Sequence, residues 1–199
     1  INNRSSLVPQ ALYDDSQKQT YLGFNHELST DDEICVDSFK NIDAKNIYSF
    51  SKSIKQFLSS KFQNPSFYHF STSLIDSLLT TYKNHATRKV LVHVQLTHFE
   101  VVVLENKNLI FYNTFNHTTA EDFMYYLLFV FEQLKLNPET QEAIIIGEIE
   151  RNSVIYSLLQ KYIRNVKFGE RPENFSYSYK LNEVPKHFYY NIFSQPLCV

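Results

Sequence analysis

The sequence predicts an α/β protein whose second half carries a mixed sheet, and three observations predict it. Val90, Val92 and Val94 alternate along Lys89–Gln95, and two further strand-like runs follow across short polar connections. A long helical pattern then separates these runs from Ala143–Ile146, a short apolar stretch ending at Gly147, as a central buried strand does. A second helix and a last strand complete the series.

The elements follow in order. Residues 17–24 read as a short helix, 33–39 as a strand through Ile34 and Val36, and 46–50 as another strand. Ser51 has the character of an N-cap, opening a helix with Ile54, Phe57, Leu58 and Phe62 on one stripe. Pro65 breaks it, Phe67–Phe70 reads as a buried strand, and a helix from about Ser73 to Tyr82 turns Ile75, Leu78 and Leu79 inward. The polar stretch 83–89 marks a boundary between residues 1–88 and residues 89–199.

Beyond it, strands 89–95, 98–104 and 109–115 form an antiparallel meander, because their connections are too short for anything else. Thr118 and Glu121 have the spacing of a capping box. The helix they open is apolar nearly all round, which requires burial on more than one side or a partner. A helix over Ile155–Ile163 and a strand over Val166–Phe168 end the regular part.

Composition narrows the function. A formal charge of -2 gives no electrostatic reason to expect nucleic acid. No apolar run reaches the ~20 residues of a membrane span, and Cys35 and Cys198 lack metal-ligand spacing, which suits reduced thiols in the cytoplasm. Only three glycines occur, Gly23, Gly147 and Gly169, where phosphate-cradling loops need several. No P-loop, nucleophile elbow or zincin motif is present.

Residues 111–115 (FYNTF), 121–138 (EDFMYYLLFVFEQLKLNP) and 162–166 (YIRNV) carry a resemblance. On them the chain resembles a Bacteroidetes family of unknown function grouped with the actin-like ATPases, and its β-β-β-α-β-α-β order over 89–169 resembles the ribonuclease H/actin-like unit. The resemblance implies that fold for the carboxyl half, with a smaller α/β half before it. Fold alone does not carry function. The ATPases hold metal and phosphate with an Asp and a Gly in the first hairpin and a glycine-rich turn after the fourth strand. Here those places read VHVQLTH and IGEI. Side chains there crowd a phosphate away from the backbone amides.

Candidate residues follow. A turn at Leu96–Thr97 pairs His93 with Glu100 and Gln95 with His98, on one face near the hairpin tip. The set suits a polar cross-strand cluster at the solvated rim; a divalent metal on His93, His98 and Glu100 is the weaker alternative. Phe188, Tyr189, Tyr190 and Phe193 either dock on their own core or offer a partner-binding surface. The reading that results is a non-catalytic scaffold or protein-interaction module without a cofactor, engaging a protein partner or a second copy. The alternative is a nucleotide-binding relative of the actin-like ATPases, with Gly147 and Glu148 on the wall of a cleft.

Overall fold

Alternation of inward and outward side chains along short strands produces two sheets, one in each of two units, residues 1–76 and 77–199. The computed structural model describes residues 4–82, 84–85, 87–172 and 175–195. Cys198 therefore lies outside the described residues.

In the first unit, β1 (Ser5–Pro9) leads through two 3-10 turns to α1 (Lys18–Gly23), then β2 (Asp32–Ser38) and β3 (Ala44–Ser51). The sheet order is β1-β3-β2, antiparallel throughout. Val8, Leu22 and Ile47 form its small core. Ser51 Oγ accepts from Ile54 N–H at 3.2 Å and caps α2 (Lys52–Lys61), as the sequence predicts. The apolar stripe of that helix points outward, however: Ile54, Phe57 and Phe62 are all exposed.

The expected strand at Phe67–Phe70 is absent. Its backbone groups are satisfied by side chains instead of a ladder: Asp37 Oδ2 accepts from His69 N–H at 2.8 Å, and the Tyr48 hydroxyl, whose one hydrogen is shared with Asp37 Oδ1, lies 3.2 Å from Phe67 O. Phe70 already begins α3 (Phe70–Tyr82). The division between the units falls inside this helix, between Asp76 and Ser77, ahead of the polar stretch 83–89.

In the second unit, β4 (Lys89–Val94), β5 (His98–Glu105) and β6 (Asn108–Asn116) form the antiparallel meander. Helix α4 (Ala120–Gln133) leads to β7 (Glu142–Gly147), and α5 (Val154–Tyr162) to β8 (Asn165–Phe168), both strands parallel to β4. The order across the sheet is β6-β5-β4-β7-β8, the mixed arrangement expected. One residue corrects the α4 start. The cap is Thr119, not Thr118, and the box closes with Asp122, not Glu121. Two adjacent threonines and two adjacent acids make both registers legible, and Thr118 Oγ1 still donates to Asp122 at 2.7 Å.

One sheet face, with Val90, Val92, Val94, Phe99, Val101 and Val103, packs against Phe123, Leu127, Val130 and Phe131 of α4 and Tyr156 and Leu159 of α5. By the period of two, Leu91, His93, Glu100, Val102, Ile144 and Ile146 line the other face, and all are buried. The short α6 (Tyr190–Ser194) packs against β7. Among the described residues, no helix is long and apolar enough to cross a membrane.

Candidate functional site

The hairpin tip of β4 and β5 brings its polar residues together as the pairing demands. His93 lies directly across from Glu100, and Gln95 N–H donates to His98 O at 2.9 Å. His93 Nδ1–H donates to Glu100 Oε2 at 2.7 Å, and the Gln95 side-chain amide lies 3.3 Å from His93 Nε2. The cluster is not at a solvated rim. His93 is buried, and Glu100 is 0% exposed. His98 Nε2 stands 3.2 Å from Glu100 Oε1, near enough for ionic attraction, yet Oε1 has no well-formed hydrogen bond. Burial by itself would raise the Glu100 pKa; the hydrogen bonds and charge of His93 and His98 outweigh it and hold the carboxyl below its ordinary range. His93, His98 and Glu100 make a carboxylate bracketed by imidazoles. Among the described residues, no group of three or more His, Cys, Asp or Glu side chains has the arrangement to hold a metal ion.

At the end of β7 the chain uses its own amides. Gly147 N–H donates to His187 O and Glu148 N–H to Val94 O, each at 2.8 Å, and Ile149 N–H donates to Gly147 O at 3.1 Å. Gly147 has φ +95°, and a Cβ there would stand 2.2 Å from Val94 O. The glycine is required by the close approach of β4, independent of any ligand. A groove of about 530 Å³ does open beside this region, walled by Tyr156, Phe168, His187, Arg151 and Lys167. Neither Gly147 nor Glu148 lines it, and Glu148 is exposed. Arg151 lies over the Phe168 ring at 4.7 Å, and Phe168 stacks on His187 at 4.0 Å. Burial pushes the His187 pKa down and Arg151 adds to that, while its hydrogen bond to Ile149 O opposes.

The aromatic tail folds onto its own unit. Tyr190 is fully buried, its hydroxyl 3.3 Å from Thr81 Oγ1, and so is no surface residue. Phe193 packs edge-on to Tyr177 at 5.5 Å, and Phe188 packs edge-on to His187 at 4.9 Å. Of the four rings singled out in the sequence, Tyr189 alone is exposed.

An exposed apolar surface of the second unit lies elsewhere, on the far edge of the sheet. Tyr125 is 66% exposed and Phe129 46%, one turn apart on the outer face of α4. Tyr126 stacks on Phe115 of β6 at 5.4 Å and meets Tyr125 edge-on at 5.3 Å, which joins the helix face to the strand. β6 is the edge strand, and none of its nine residues is charged. It carries one irregularity: Val103 pairs with Phe111 but Leu104 with Leu109, so Ile110 is bulged out and 41% exposed. Phe111–Asn116 remain regular. The all-round apolar pattern of α4 was the sequence signal for this surface.

Comparison with known proteins gives two findings. The profile of a family described as "Protein of unknown function (DUF3822)" matches residues 1–166. A crystal structure from Bacteroides thetaiotaomicron, described as a protein with actin-like ATPase fold and unknown function, is similar with a TM-score of 0.77 at 25% identity. The match covers 83% of this chain and 65% of that one, so the chain spans just under two thirds of that relative. No curated protein matches. The mixed α/β architecture is that of the actin-like ATPase fold.

Proposed function

The chain belongs to the DUF3822 family, and on that premise we propose that it is a non-catalytic scaffold that pairs with a second copy of itself along β6. One observation carries this reading: an uncharged edge strand, regular over Phe111–Asn116, continues into the exposed aromatic face of α4. Such an edge is a template for another strand, and natural proteins ordinarily guard it with charge or proline. Antiparallel pairing about the Asn113–Thr114 centre would set Phe111–Asn116 of the two copies side by side. It would also bring the two sets of Tyr125, Tyr126 and Phe129 together. Asn113 Oδ1 accepts from Thr114 N–H at 2.9 Å, so pairing there needs that side chain to rotate.

The degenerate character of the fold supports the same reading. Around Gly147 the amides that would cradle a phosphate are bonded to Val94 and His187. A cytoplasmic setting fits the free thiol of Cys35.

Sedimentation equilibrium tests the proposal. The chain should be a dimer in the micromolar range, and Asn113→Lys, which sets like charges across the two-fold, should return it to a monomer with its circular dichroism unchanged. A wild-type monomer throughout that range would overturn the self-pairing. Micromolar binding of labelled ATP with magnesium would overturn the non-catalytic reading.

A further inference from the structure

We propose that Asn113 is a latch on the β6 edge: its side chain closes the amide through which self-pairing runs, and so sets how fast and how tightly two copies join. The inference rests on the self-pairing reading and names what controls it. The hairpin bonds fix which backbone groups of β6 point outward. Gln95 N–H donates to His98 O, so His98, Glu100 and Val102 are the residues of β5 that bond β4. The residues between them, Phe99, Val101 and Val103, therefore turn to β6, where they meet Phe115, Asn113 and Phe111. The bond from His117 N–H to Thr97 O lies in the same series. Thr114 and Asn116 thus direct their N–H and C=O groups away from β5, to the outer side of the edge strand.

The outward amide of Thr114 falls inside the regular run Phe111–Asn116, and it is already engaged. Asn113 Oδ1 accepts from it at 2.9 Å. Asn113 is exposed, so its side chain swings away into water rather than against packing. An incoming strand offers a carbonyl to the same N–H, which serves one strong acceptor at a time. The latch must open in both copies before their central bonds form. A hydrogen bond of this kind shifts an equilibrium by roughly five-fold, so two latches weaken the dimer by roughly 25-fold. This is a milder guard than the charge or proline that closes most edges, and unlike them it is reversible. An edge without charge is thereby kept from indiscriminate pairing while remaining open to its own copy.

Concentration-jump kinetics on the full chain, read by light scattering, test the latch. Asn113→Ala removes the acceptor and exchanges one poor strand former for another, which holds strand propensity level. Its dimer should form about five-fold faster and bind about 25-fold more tightly than wild type, with the circular dichroism unchanged. Amide exchange of Thr114, measured on dilute monomer, should quicken by about five-fold in the same variant, which reads the latch without any partner. Thr114→Pro deletes an outward N–H, which an edge strand tolerates, and should leave a folded monomer. Should that variant not fold, Asn113→Ala still decides the matter. A wild-type dimer with association and Thr114 exchange unchanged in Asn113→Ala would overturn the latch and leave self-pairing standing. Monomers for wild type and Asn113→Ala alike would overturn self-pairing, and the latch with it. A Thr114→Pro dimer as tight as wild type would show that the outward amide is not used, and would overturn the latch as well.

Discussion

A buried carboxylate in each unit, Asp37 in the first and Glu100 in the second, behaves in the opposite way to the other. Asp37 in the first unit accepts only from neutral donors: His69 N–H at 2.8 Å, Thr72 Oγ1–H at 2.8 Å and Tyr48 Oη–H at 3.1 Å. Burial pushes its pKa up, and these hydrogen bonds only moderate the rise. Glu100 in the second unit is buried at least as deeply, yet its pKa falls, because two imidazoles flank it. Depth does not decide whether a buried acid keeps its charge. The chemistry of its nearest donors does.

The sharpest way to break this comparison is to remove each acid. Glu100→Ala strands the buried His93 without its acceptor and should cost about 3 kcal/mol of stability in the second unit. Asp37→Asn keeps the shape but turns an amide hydrogen toward donors it must now face, and should cost about 1–2 kcal/mol in the first. Hydrogen exchange resolved by residue reads the two units separately. A larger loss from Asp37→Asn than from Glu100→Ala would invert the ranking argued here.

Acid titration sharpens it further. A raised native pKa means that the folded state holds its proton more tightly. The contribution of Asp37 is therefore fully present below about pH 3.9 and is lost as pH rises through its native value. Glu100 has a lowered native pKa, so its contribution is present above about pH 4.3 and is lost as pH falls through that lower value. Protection of the two units, corrected for intrinsic exchange, should change in opposite directions across the acid range. Parallel changes would show that one of the two assignments is wrong. The smallest expected effect is at a helix start: Thr119→Ala opens the capping box with Asp122 and should cost about 1 kcal/mol, readable as a modest fall in melting temperature.

Much of the second unit was legible because single strands announce themselves. Val90, Val92 and Val94 alternate, and Ala143–Ile146 is apolar throughout, since helices or loops cover both of its faces. Turn length sets the pairing register, so the sequence alone sets His93 across from Glu100. Their burial was not legible, since a polar pair at a hairpin tip looks the same in sequence whether or not other elements cover it. Phe67–Phe70 failed for the opposite reason. Its residues favour a strand, but Asp37 and Tyr48, some thirty and twenty residues earlier, claim its backbone. The carboxyl-terminal segment was hardest. Tyr190 enters the core and Arg171 loses its solvent only through a fold-back that no local pattern encodes.

Gly147 bears on how such chains are compared. A glycine after the fourth strand of this architecture invites interpretation as the relic of a nucleotide loop. Here its hydrogen atom faces the Val94 carbonyl of the adjoining strand, so any larger residue would force the parallel pair apart. Its retention in a sequence would track the integrity of the sheet and say nothing of ancestral nucleotide use. Grafting further glycines around it would loosen the turn without recreating a phosphate cradle.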